Sequence, residues 1–131
     1  MIRLTGALTA LTLMSLAPAA FAEGDVEKGA KVFRKCAACH TAEADGPKRA
    51  GPNLHGVVGR TVGSFEGFGY SDALKTAGEA GDVWDAERLS GFLADPKSMY
   101  KGHKMSFAGL KKEDERTDLI AFLSAQATAA E

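Results

Sequence analysis

Three stretches of the chain repeat apolar residues at helical spacing, and polar, glycine-rich stretches separate them. The first is Val26, Gly29, Ala30 and Phe33, which share one helix face. Asp25 can cap that helix, and Glu27 suits its first turn. The helix is predicted to run on into Cys36. Gly29 in mid-helix costs stability relative to alanine, so a second helix is expected to cross closely there. Leu89, Phe92 and Leu93 fall at i, i+3 and i+4 behind Asp85, predicting a helix that ends near Ala94. Leu119, Phe122 and Leu123 form the third stripe, in a helix beginning near Lys112 with acids at Glu113, Asp114 and Glu115. Shorter helices are predicted from Asp72 to Thr76, capped by Ser71 and stopped by Gly78, and from Asp95-Pro96 to Tyr100, with proline in the first helical position. The tail from Ala127 is expected to fray. Between Thr41 and Gly69 periodicity disappears, and repeated glycines with Pro47 and Pro52 are loop chemistry. So long a loop in a compact domain usually has a function, such as wrapping a bound group. No useful period-two stretch appears, and there is no internal repeat. The pattern predicts an all-α domain of about four or five helices joined by long irregular loops.

One apolar stretch stands apart from these. Leu4 to Leu16 follows Arg3, with no acid nearby, and leads through Pro18 to Ala20-Phe21-Ala22. That small-residue ending resembles an A-x-A cleavage site, so residues 1–22 read as a secretory signal peptide cut before Glu23. The stretch is shorter than the roughly 20 residues of a membrane span, and the single basic residue before it leaves an uncleaved anchor as the alternative. Removing 22 of 131 residues leaves 109, residues 23–131, enough for one domain. Loss of Arg3 takes the 16 basic residues to 15 against 17 acidic, a balance of about −2. No basic excess points to nucleic acid, and no second apolar stretch points to stable membrane insertion. A monomer is expected. A domain this small is only moderately stable on its own core, so a bound apolar group would complete its interior.

Cys36-Ala37-Ala38-Cys39-His40 supplies the candidate chemistry. It reads C-x-x-C-H, the attachment signature of a c-type haem. Two thiols two residues apart can add to the two vinyl groups of one haem, and the following histidine is held under the iron as an axial ligand. These are the only two cysteines. Zinc would need two more ligands at metal spacing, and only His55 and His103 remain. A thioredoxin-like dithiol needs a βαβ context that the pattern lacks. An electron carrier benefits from a second axial ligand, which excludes oxygen and small molecules. The candidates are Met105, Met99, His55 and His103. Met105 is favoured because its polar, glycine-containing loop, Lys101 to Leu110, can bring a flexible thioether to the face opposite His40. A thioether is soft, favours ferrous iron and raises the potential.

With these residues in place, the chain resembles the class I cytochromes c, the soluble cytochrome c and bacterial cytochrome c2 (c550-type) proteins, along its whole mature length. Gly24-Asp25-Val26-Glu27-Lys28-Gly29 looks like the family's opening, and Gly51 to Gly56 with Gly59-Arg60 like its first haem-wrapping loop. Trp84 stands where the family's tryptophan stands. Asp95-Pro96-Lys97 and Lys104-Met105-Ser106-Phe107-Ala108-Gly109 resemble its methionine loop. The resemblance implies the cytochrome c fold around one covalent haem c, with thioethers at Cys36 and Cys39 and the iron held by His40 and Met105. It implies that the Pro52 carbonyl accepts from the other ring nitrogen of His40, fixing its tautomer. It places Arg60, Tyr70 and Trp84 around a haem propionate, and crosses Gly29 and Phe33 with Leu119 and Phe122. His55 and His103 are expected to face solvent. Phe92, His103 and Leu74 depart from the mitochondrial pattern and alter the polar groups near the methionine.

The function this implies is a periplasmic electron carrier, not an enzyme, cycling between ferrous and ferric iron. Lys31, Lys35, Arg49, Lys97, Lys104, Lys111 and Lys112 match family positions around the haem edge and predict a basic face that steers the protein to acidic partners. Those partners would be a bc1-type reductase as donor and a terminal oxidase, photosynthetic reaction centre or periplasmic reductase as acceptor. The alternatives are a haem peroxidase or gas-binding protein with an open sixth position, and a thiol–disulfide oxidoreductase without haem.

Overall fold

The computed structural model describes residues 23–128. The expected signal peptide, residues 1–22, lies outside the described residues, as does the end of the tail, 129–131. Among the described residues the order is α1 (Val26–Phe33), α2 (Asp72–Glu79), α3 (Ala86–Ala94), α4 (Pro96–Met99) and α5 (Glu113–Thr128), with no strand beyond an isolated bridge between Thr61 and Val83. The all-α expectation holds. No described helix is long and apolar enough to cross a membrane.

The helix starts follow from their caps. The carboxylates of Asp25, Asp85 and Asp95 and the hydroxyl of Ser71 each accept from the backbone N–H three residues on, satisfying donors that the first turn leaves unpaired. Two ends differ from expectation. α1 stops at Phe33 because the ladder tightens: the N–H groups of Lys35 and Cys36 reach back three residues to Val32 and Phe33, at 3.0 and 2.8 Å. The two cysteines therefore sit in consecutive turns beyond the helix. α2 continues through Gly78 to Glu79. That glycine is there for space, since a Cβ would strike the Val62 carbonyl, and Gly81 at φ +92° makes the turn instead.

The crossing of α1 and α5 closes the fold. A Cβ on Gly29 would collide with the Asp118 carbonyl and lie 2.7 Å from Phe122 Cβ, so the backbones meet as closely as glycine allows. Phe33 and Phe122 pack with ring centroids 5.2 Å apart, and the Asp25 amide donates to Asp118 Oδ1 at 2.7 Å. Leu119 is 1% exposed at the centre of the core. Behind this crossing, α3 supplies Leu89, Phe92 and Leu93. The long loop is tied down by backbone bonds from Gly59 to Trp84, Trp84 to Arg60 and Val62 to Asp82.

Candidate functional site

Just beyond α1, the turn at Cys36–Cys39 delivers His40 into the structure. Cys36 is half-buried and Cys39 exposed. Burial raises the Cys36 thiol above its ordinary value. The Gly51 amide donates to the Cys39 carbonyl at 2.7 Å, folding the glycine loop back onto the cysteine turn. The Pro52 carbonyl then lies 2.7 Å from His40 Nδ1. A carbonyl can only accept, so the proton sits on Nδ1 and Nε2 keeps its lone pair. Burial holds the ring below the ordinary imidazole value, the bond to Pro52 opposes this, and the charge of Arg60 adds to it. A neutral imidazole with an oriented, unprotonated nitrogen is a metal ligand ready to bind.

Met105 reaches the core from another loop. It is half-buried and packs on the core cluster, whereas Met99 is 37% exposed and lies against Gly91. The Met105 amide donates to His103 Nδ1 at 3.0 Å, and His103 Nε2 is buried with no partner. His103 and His55 are thus both half-buried, contrary to expectation, because each is drawn in by backbone: His103 by Met105, and His55 by the Ala42 carbonyl 3.3 Å from its Nδ1. A cleft of about 610 Å³ lies beside Met105 and His103, rimmed by Lys97, Lys101 and Lys104. A second, of about 400 Å³, opens beside His40, Phe33 and Arg49.

Arg60 lies near enough to Tyr70 for their charges to interact and is joined to Trp84 through the backbone. Arg60 Nη1 donates to the carbonyls of Asn53 and His55 at 3.0 and 3.3 Å, and its guanidinium lies 5.1 Å from the Phe65 ring centroid. Burial lowers its value from the ordinary one, against the opposing charge effect of Tyr70. Burial also raises the Tyr70 phenol, whose oxygen accepts from the Phe65 amide. Trp84 is buried, pairs its backbone with Arg60, and packs its ring on Phe92 and Tyr100.

The arrangement fits a haem. It offers two thiols in one turn, an imidazole nitrogen held free of its proton, a thioether on a separate loop, and a buried nitrogen at His103 that lacks an acceptor. Among the described residues no three His, Cys, Asp or Glu side chains gather as a zinc site would need.

The basic residues behave unevenly. Lys31, Arg49, Lys97, Lys104 and Lys112 are exposed. Lys35 is engaged by Glu115 at 3.2 Å, and the Lys111 ammonium donates to the Ala94 carbonyl at 2.9 Å. Lys101, absent from the sequence-based set, joins Lys97 and Lys104 at the cleft. The sequence marks Gly51 as part of the wrapping loop but not its contact with His40, whose ring its bare Cα admits, and it gives the Tyr100 side chain no role.

Residues 26–127 match the family model described as Cytochrome c. The chain is 53% identical over 96 residues to cytochrome c-550 of Ancylobacter novellus, covering 73% of this chain and 90% of that protein. It is 50% identical over 107 residues to a cytochrome c of Chlamydomonas reinhardtii, covering 81% and 92%. It is 44% identical over 101 residues to cytochrome c2 of Agrobacterium tumefaciens, covering 77% and 91%.

Proposed function

The chain belongs to the cytochrome c family, which carries covalent haem c and transfers electrons rather than transforming a substrate, and on that premise we propose that it is a periplasmic carrier in which His40 and Met105 would ligate the iron. The observation that carries this reading is the His40 ring, fixed by Pro52 directly after the cysteine pair, with Nε2 free to ligate. When bound, the haem supplies a one-electron iron couple. Cys36 and Cys39 would hold it through thioether bonds. Pro52 orients His40, and Met105 would supply a second, thioether ligand to the iron, which would keep small molecules out and favour the reduced state. Arg60, Tyr70 and Trp84 would receive a haem carboxylate. Electrons would be exchanged through the bound group during brief docking, with a bc1-type reductase as donor and a terminal oxidase, reaction centre or periplasmic reductase as acceptor. Residues 1–22 direct export.

The test is the visible absorption spectrum of protein expressed with a periplasmic haem-attachment system. A covalent c-type spectrum is expected, with the weak long-wavelength sulfur-to-iron band when oxidised. Haem without that band would overturn the Met105 assignment, and a haem-free product would overturn the carrier reading.

A further inference from the structure

We propose that Tyr100, Arg88 and Asp82 form a latch that holds the loop carrying Met105 closed, so that all three are positioning residues for the sixth ligand. The proposal rests on the reading of Met105 as that ligand.

The loop 101–109 has few bonds of its own. Within it the Met105 amide donates to His103, the His103 amide donates back to Tyr100, and glycines with positive φ stand near both ends, Gly102 at +85° and Gly109 at +105°. Its position is set by how its ends are fastened to α3. The rear end is fastened several times. The Leu110 amide donates to the Leu93 carbonyl at 2.7 Å, Lys111 Nζ to Ala94 at 2.9 Å, and Arg116 ties Leu110 to Ser90.

The front end continues α4, where the Tyr100 amide donates to the Pro96 carbonyl at 3.1 Å, and its side-chain hydrogen bonds to the body of the fold all pass through the Tyr100 phenol. Tyr100 donates its hydroxyl proton to Asp82 Oδ2 at 2.9 Å and accepts from Arg88 Nη1 at 3.1 Å, while Arg88 Nη1 also reaches Asp82 at 2.9 Å. Arg88 Nε is buried without a partner, so its guanidinium holds the latch through Nη1. The three groups are partly buried, where such charge-assisted bonds exceed the value of an exposed pair. The Tyr100 ring meets Trp84 and Phe92 with centroids 5.9 Å away from each. Losing only the hydroxyl therefore leaves the rings packed and Arg88 paired with Asp82. The fold survives, and the front end of the loop loses its polar side-chain fastening.

The experiment is an imidazole titration of the ferric holoprotein, followed by loss of the sulfur-to-iron band. Imidazole forms its bond to iron only when the sulfur of Met105 leaves, so its apparent affinity reports how often the loop opens. Tyr100→Phe is expected to raise that affinity roughly tenfold, the effect of one hydrogen bond to a charged pair. The urea midpoint of the helical circular dichroism is expected to move little. Asp82→Asn acts in the same direction. The double variant D82N/Y100F is expected to exceed neither single variant greatly, because both break one contact. Affinity within twofold of wild type, or a rise that merely follows global destabilisation, overturns the latch while leaving Met105 as ligand. A wild-type protein without the band overturns the methionine reading, and the latch with it.

Discussion

At Gly51 a Cβ atom would lie 2.5 Å from Cε1 and 2.7 Å from Nδ1 of His40. An alanine there must push the imidazole off the Pro52 carbonyl or move the loop, since interiors have no slack for a methyl group. Gly51→Ala is expected to cost roughly 1–3 kcal/mol by overpacking and to lower the fraction of protein carrying haem. Thermal unfolding and the haem-to-protein absorbance ratio check both. Cys36, Cys39 and His40 were legible in the sequence because their chemistry is written in adjacent residues. The contact of Gly51 was not, because the sequence marks it only as part of a glycine-rich wrapping loop, and the ring it meets is eleven residues away. His103 was misread as solvent-facing for the same kind of reason. Its surroundings come from Met105 and Phe92, and the latter ring centroid is 6.0 Å away.

Caps and crossings govern the elements. The backbone N–H of Lys28 holds the Asp25 carboxylate below its ordinary 3.8, and the hydroxyl and amide of Ser98 do the same for Asp95. Each group is depressed in the folded state. The stability it adds is therefore present above the unfolded value and lost as pH falls through the folded one. Denaturant midpoints are expected to drop below about pH 4, and Asp25→Asn with Asp95→Asn to flatten that fall. At the helix crossing, Gly29→Ala would drive a methyl into the Asp118 carbonyl and Phe122, neither of which is a freely moving chain end. A loss of roughly 1–3 kcal/mol is expected by urea unfolding. The close crossing itself was legible, because a glycine on the apolar face of a helix has few other uses. Its partners were legible in part: the sequence suggested Leu119 and Phe122, and the structure sets Gly29 against Asp118 and Phe122. The end of α2 was misjudged because Gly78 looks like a stop, and only the neighbouring Val62 carbonyl reveals it as a contact.

Over the whole molecule, the near-neutral charge hides an uneven surface. Lys97, Lys101 and Lys104 rim the cleft beside Met105, while Lys35 is neutralised by Glu115. Electron transfer with an acidic partner is expected to slow as ionic strength rises, and Lys97→Glu with Lys104→Glu to slow it further and weaken the salt dependence. Stopped-flow rates across a salt series decide this, and a rate indifferent to salt would remove the steering argument. By itself the sequence determined the helices, the attachment motif and the all-α class. Caps, periodic stripes and C-x-x-C-H are local patterns, and their physics acts within a few residues. Only the tertiary structure decided which lysines remain available, that His103 turns inward to Met105, and that Tyr100 meets Asp82 and Arg88. Those contacts join residues from separate loops and helices, and their partners are chosen by packing in three dimensions rather than by spacing along the chain.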